Sequence, residues 1–163
     1  RDRVAIVGAN GVGKSRWIEH VMPRLNAPRE RVVYLPQELT AEEARAIHER
    51  CLALPSERLG QVMSIVSCLN SRPAQLLASR QPSPGEARKL ALALGMAQQP
   101  HIVVMDEPTN HLDLPSIGAL EQALADCPCA LLVVSHDYRF IENIGAELWS
   151  IEGSGAGVAA LVT

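Results

Sequence analysis

Aromatic side chains are scarce: two Trp, two Tyr and one Phe serve a chain of 163 residues. Any sizeable core must then be built from Leu, Val, Ile and Ala, as in a buried parallel sheet covered by helices. No apolar run approaches the ~20 residues of a membrane span, and the N-terminus carries no secretory leader, which predicts a cytoplasmic protein. Cys51, Cys68, Cys127 and Cys129 show no CxxC spacing and are expected to be buried or free thiols in a reducing compartment. Nor is there a basic run with interleaved aromatics: the net charge is −3, and the scatter of Arg24, Arg29 and Arg31 reads as solvated surface. Charge therefore gives no argument for a nucleic-acid partner. There is no internal repeat and no low-complexity segment apart from a flexible-looking turn over Gly153–Gly157. What remains, 47% hydrophobic, fits a single globular domain. Because it begins at Arg1-Asp2-Arg3 directly before a strand, it also reads as a segment of something longer.

The most informative stretch is Gly8-Ala9-Asn10-Gly11-Val12-Gly13-Lys14-Ser15, which follows the apolar run Val4–Val7. Strand, glycine-rich loop and helix come in the order that a phosphate-binding loop requires. Glycines let successive backbone N–H groups face one concavity, and the helix starting near Gly13 adds the positive end of its dipole. Lys14 would reach the terminal phosphates of a nucleotide, and Ser15 would offer its hydroxyl to Mg²⁺.

Beyond the loop, Trp17, Ile18, Val21, Met22 and Leu25 share one helix face, which Pro23 shortens or bends. Residues 31–35 read as a strand, and Pro36-Gln37-Glu38 as the loop leaving it. From Thr40 the pattern turns helical: a capping box at Thr40–Glu43 opens a helix to about Leu54, a second runs from Pro55 to about Leu69, and a third spans Arg72 to Ser79. Residues 40–80 are thus expected to form a small helical lobe inserted in an α/β domain. A helix follows over Glu86–Gln98, then a strand over His101–Asp106, a helix over Ser116–Ala125, a strand over Ala130–Ser135, a helix near Asp137–Ile144, and two last strands near Glu147–Ile151 and Val158–Val162. Strands alternating with helices predict a mostly parallel sheet covered on both faces.

Two carboxylates, Asp106 and Glu107, end the buried strand at the sheet edge where open α/β folds expose functional groups. Asp106 suits a Mg²⁺ shell and Glu107 the polarisation of a water, although two acids at a strand end also fit a plain loop start. His136 follows another apolar strand and reads either as a structural histidine or as a phosphate contact. Gln37 is a Mg²⁺ or water contact, or a surface residue.

Taken together, Gly8–Ser15, Tyr34-Leu35-Pro36-Gln37, Ser83-Pro84-Gly85-Glu86, Met105–Asp113 and Val134-Ser135-His136-Asp137 resemble, in order, the Walker A, Q-loop, signature, Walker B with D-loop, and switch-histidine motifs of an ATP-binding-cassette ATPase. The wording Asp-Glu-Pro-Thr-Asn-His-Leu-Asp is most similar to the F subfamily, whose members are tandem ATPases, many acting on ribosomes in translation or antibiotic resistance. The resemblance implies a P-loop NTPase fold, ATP and Mg²⁺ as ligands, and a second cassette as partner, with the ribosome reached through parts outside this chain. It assigns nucleotide binding to Gly8 through Arg16 (Gly8, Ala9, Asn10, Gly11, Val12, Gly13, Lys14, Ser15, Arg16) and metal contacts to Ser15, Gln37 and Asp106. Glu107 becomes the general base and His136 the γ-phosphate contact, while Ser83, Gly85 and Glu86 act on the partner's nucleotide and Asp113 lies at the interface. Three features depart from the family pattern. The aromatic platform for adenine would lie upstream of Arg1, the short interval from Ser15 to Gln37 predicts a trimmed antiparallel β-subdomain, and Pro84 and Arg16 stand where glycine and threonine are usual. A transporter ATPase subunit and a nucleotide-binding fragment without turnover are the competing readings.

Overall fold

The computed structural model describes residues 2–79, 82–154 and 158–162. Strands β1 (Arg3–Val7), β2 (Val32–Leu35), β3 (Ile102–Asp106), β4 (Ala130–Val134), β5 (Glu147–Ser154) and β6 (Val158–Val162) form one sheet in the order β2-β3-β4-β1-β5-β6. The first five run parallel, and β6 pairs antiparallel to β5. This is the α/β P-loop NTPase architecture that the motif order predicted. The turn residues Gly155–Gly157 lie outside the described residues.

The strands are buried on both faces, which explains their unbroken runs of branched aliphatics. Val103, Met105, Leu131 and Val133 face a layer that contains Leu92, Leu120, Leu124, Phe140 and Ile144. Their neighbours Val104, Leu132 and Val134 turn to the other side and pack with Ile6, Ile18 and Ile151. Ile18 comes from α1 (Lys14–Val21), which passes at Val21 into a 3-10 turn, Met22–Arg24, holding Pro23. Only that turn and a second one, Arg29–Arg31, occupy the interval before β2. Leu92, Leu120 and Phe140 belong to α5 (Pro84–Met96), α6 (Leu114–Ala125) and α7 (Tyr138–Asn143).

Between β2 and α5 the chain is helical: α2 (Ala41–Leu52), α3 (Ser56–Cys68) and α4 (Pro73–Ala78). Thr40 caps α2 reciprocally, its Oγ1 accepting from the Glu43 amide and its own amide donating to the Glu43 carboxylate. Cys51, Val62, Val66 and Leu76 from these helices bury their apolar sides against Leu90, Ala93 and Leu94 of α5. Helix α5 therefore serves two cores, the helical cluster and the sheet.

Its approach to the sheet is close. A Cβ on Gly95 would lie 2.5 and 2.7 Å from the two methyl groups of Val33 on β2. Valine is short and stiff, so the contact must be relieved by moving backbone. Overpacking costs about 1–3 kcal/mol, against a gain of about 1 kcal/mol or less from the better helix propensity of alanine. Gly95→Ala is expected to lower the urea midpoint with an unchanged m-value.

One expectation from the sequence fails. Cys127 and Cys129 are not free thiols but a disulfide, because the turn through Pro128 holds their Cα atoms 5.4 Å apart, within the range a disulfide bridges. Cys51, buried, and Cys68, exposed, are free. Arg3 fastens the same corner, donating to the carbonyls of Ala125, Cys127 and Ile144.

Candidate functional site

Strands β1, β2, β3 and β4 lie side by side and parallel, so the loops leaving them share one edge of the sheet. A cleft of about 700 Å³ opens there. Among its lining residues are Asn10, Gly11, Gly13, Lys14, Ser15 and Arg16 from the loop and the start of α1, Gln37 after β2, Asp106 and Glu107 after β3, and His136 after β4.

The loop after β1 bends through Gly11 at φ 79° and Gly13 at φ 100°, left-handed conformations that favour glycine. Neither position has a heavy atom within 4 Å of where a Cβ would sit, so the concavity is open. Lys14 is the first residue of α1 and is 8% exposed. Its Nζ donates to the carbonyls of Gly8 at 2.9 Å and Ala9 at 3.2 Å, so the loop folds around its own ammonium group.

Three functional groups converge beyond it. Lys14 Nζ lies 3.0 Å from His136 Nε2, and that same nitrogen lies 3.1 Å from Glu107 Oε1. Nε2 has either a proton to give Glu107 or a lone pair to receive one from Lys14, so its tautomer selects which contact is a hydrogen bond. The His136 amide also points at Glu107 Oε2, 3.4 Å away.

Glu107 is 8% exposed and adopts φ 46°. A left-handed conformation costs a non-glycine residue about 1–2 kcal/mol, which the surroundings must hold in place. Its amide donates to Val134 O at 2.8 Å, and its carbonyl accepts from the Asn110 amide. Burial raises the Glu107 carboxyl above its ordinary pKa, opposed by His136 and Lys14 and reinforced by Asp106. A raised carboxyl pKa means that the folded state binds more protons, so stability falls as pH rises from the ordinary Glu range through the raised value. In metal-free and nucleotide-free protein, Glu107→Gln is therefore expected to raise Tm at neutral pH, with the gain shrinking towards pH 4 in thermal melts at stepped pH.

The donors fit a magnesium nucleotide. The glycine-lined concavity and the enclosed ammonium suit phosphate oxygens, and the Ser15 hydroxyl, the Gln37 amide and the Asp106 carboxylate are the hard oxygen ligands Mg²⁺ takes.

Ser83, Gly85, Glu86 and Asp113 do not reach this cleft. They line a second one of about 410 Å³, together with Arg72, Lys89 and His111. Ser83 and Glu86 form the capping box of α5, and Asp113 caps α6 by accepting from the Ser116 amide at 3.0 Å. The hydrogen bonds from Ser116 hold the Asp113 carboxyl below its usual pKa. Pro84 occupies the first turn of α5, where a missing N–H costs nothing within the helix.

Sequence reasoning assigned no role to several residues here, Asn110 and Arg88 among them. Asn110 lines the main cleft and reaches the Glu107 carbonyl. Arg88 is 2% exposed, and its guanidinium donates to carbonyls of Pro36, Gln37, Asp106 and Glu107. The available signal was helical spacing, since Arg88 precedes Leu92 by one turn and Gly95 by two, and both are buried.

A glycine-rich loop between strand and helix, with acids at the end of a neighbouring parallel strand, defines the class as a P-loop nucleotide-binding domain. Residues 1–110 match the family described as ABC transporter, and the chain belongs to that family, whose domains bind ATP, generally with Mg²⁺. It is 30% identical over 156 residues to the erythromycin resistance ATP-binding protein MsrA of Staphylococcus epidermidis, covering 92% of this chain and 32% of that protein. It is 32% identical over 168 residues to ATP-binding cassette sub-family F member 3 of Mus musculus, covering 92% of this chain and 23% of that protein. The chain thus spans a third or less of the length of these relatives. A solved ATP-binding subunit of an ABC transporter superposes with a TM-score of 0.71 at 21% identity, over 99% of this chain and 80% of that one, a likeness of fold. Among the described residues, no helix is long and apolar enough to cross a membrane.

Proposed function

We propose that this chain binds ATP and hydrolyses it with Mg²⁺ as one cassette of a sub-family F type protein, closing against a second cassette. The observation that carries the reading is the meeting of Lys14 and Glu107 at His136 Nε2, 3.0 and 3.1 Å from it, at the mouth of a glycine-lined loop. In this reading the loop amides and Lys14 hold the phosphates, and Ser15, Gln37 and Asp106 hold the metal, which neutralises charge on the phosphates when bound. Glu107 accepts a proton from the water that attacks the terminal phosphorus as the bond to the ADP oxygen breaks, and His136 hydrogen-bonds the phosphoryl oxygens. Phosphoryl transfer depends on this kind of positioning and charge neutralisation more than on covalent help from the protein.

The separation of the two clefts supports the two-cassette arrangement. Ser83, Gly85 and Glu86 stand apart from this chain's own Lys14, so their proposed partner is the nucleotide of another cassette, with Asp113 at the contact. In the same reading residues 40–80 are a helical subdomain, which lends Asn70, Ser71, Arg72 and Gln75 to the second cleft. The ribosome, reached through parts outside this chain, is the partner that the F-type wording favours.

Phosphate release measured against protein concentration tests the proposal. Turnover per chain should rise steeply with concentration as composite sites assemble. Failure to bind Mg·ATP at millimolar nucleotide would overturn it.

A further inference from the structure

Arg88 sits on α5, five residues after the capping residue Ser83, with its side chain enclosed. Such a charge is normally matched by a carboxylate. Here its four hydrogen bonds among the described residues all go to main-chain carbonyls: Nη1 donates to Pro36 at 2.7 Å and to Gln37, and Nη2 donates to Asp106 at 3.2 Å and Glu107 at 3.0 Å. Nε, also buried, has no hydrogen-bond partner among the described residues. The planar fork of a guanidinium is suited to spanning two segments in this way, and an ammonium is not.

The two segments are the loop leaving β2 and the end of β3, which bring Gln37 and the Asp106–Glu107 pair to the main cleft. Glu107 is also the residue held at φ 46°, and one of the contacts on its carbonyl is Arg88. The helix that carries Arg88 begins at the second cleft. One side chain thus joins the second cleft's helix to the backbone of both the acid and the glutamine.

From this we infer that Arg88 is a positioning residue for hydrolysis, setting Glu107 and Gln37 relative to each other through their carbonyls without touching nucleotide. The inference rests on reading Glu107 as the base. It differs from a packing role because packing loss would weaken nucleotide binding and folding as well, whereas misplacing a base by a fraction of an ångström to an ångström acts on the chemical step.

The experiment compares wild type, Arg88→Met, Arg88→Lys and Glu107→Gln for ATP turnover, nucleotide affinity, Tm and backbone hydrogen exchange. In Arg88→Met, kcat should fall by roughly 10- to 100-fold while the affinity for ATP stays within about threefold. Exchange should quicken at the amides of Gln37, Glu38, Asp106, Glu107, Thr109 and Asn110 and not in β1 or β4. Arg88→Lys should keep the charge yet show the same split in weaker form; if Arg88→Met does not fold, this variant decides. A wild-type kcat, parallel losses of kcat and affinity, or unchanged exchange at both segments would each overturn the proposal. Turnover by Glu107→Gln at the wild-type rate would instead remove the base assignment, and the exchange pattern would still report whether Arg88 ties the two segments.

Discussion

Glu107→Gln is expected to cut ATP turnover by about 10²- to 10⁴-fold, the range that a positioned general base contributes. Glutamine keeps the shape of the side chain and can still hydrogen-bond His136 Nε2, now 3.1 Å from Oε1, but it cannot accept a proton from water. The loss should therefore appear in kcat and kcat/KM, with nucleotide affinity kept or slightly improved because a buried negative charge beside the phosphates has gone. Burial already disfavours that charge in the folded protein. Paired measurements of phosphate release and equilibrium ATP binding check this, and turnover that survives the substitution would move the proton acceptor elsewhere in the cleft.

Lys14→Met should act on binding instead. Lys14 is 8% exposed and its ammonium touches the Gly8 and Ala9 carbonyls and His136 Nε2, with no carboxylate in direct contact, so a phosphate can still pair with its charge. A hydrogen bond to a charged group contributes about 1.5–3 kcal/mol, and at 1.4 kcal/mol per tenfold its loss predicts ATP affinity weaker by about 10- to 150-fold. Methionine fills the space of the lysine stem, so the fold should persist while the Gly8 and Ala9 carbonyls lose their donor. Calorimetric titration with Mg·ATP measures the effect, and unchanged affinity would mean that the loop amides alone hold the phosphates.

Much of this was legible because the chemistry is contiguous. Gly8–Ser15 specifies loop, ammonium and hydroxyl within eight residues whose backbone demands are local. Asp106–Glu107 and His136 were legible for a related reason: each follows an unbroken aliphatic run, and parallel strands deliver their ends to one edge. Helix starts were less visible where the cap itself carried a functional motif. Helix α5 begins at Pro84 and α6 at Leu114, each two residues ahead of the apolar periodicity, because Ser83 and Asp113 cap them. Arg88 was hidden by chemistry of another kind, since its partners are main-chain carbonyls of residues 18 to 52 positions away and leave no trace in side-chain pattern. The Cys127–Cys129 bond escaped because a two-residue spacing lies outside the usual dithiol motifs, and only the turn at Pro128 shows that the sulfurs meet.

The central place of β1 has a consequence for how the molecule is made. Both hydrogen-bonding neighbours of this first strand come late: Arg3 registers against Leu131, and Val4 against Glu147. Lys14 and His136, which touch, are 122 residues apart. The loop-closure entropy of so long a separation must be met before any of these contacts returns free energy, which slows folding and makes it depend on the C-terminal third. During synthesis the glycine loop would emerge first yet stay without a sheet edge to stand on until β4 and β5 had left the exit tunnel. A nascent chain shorter than about β5 should then neither hold nucleotide nor resist proteolysis, and acquisition of both properties should be abrupt in chain length.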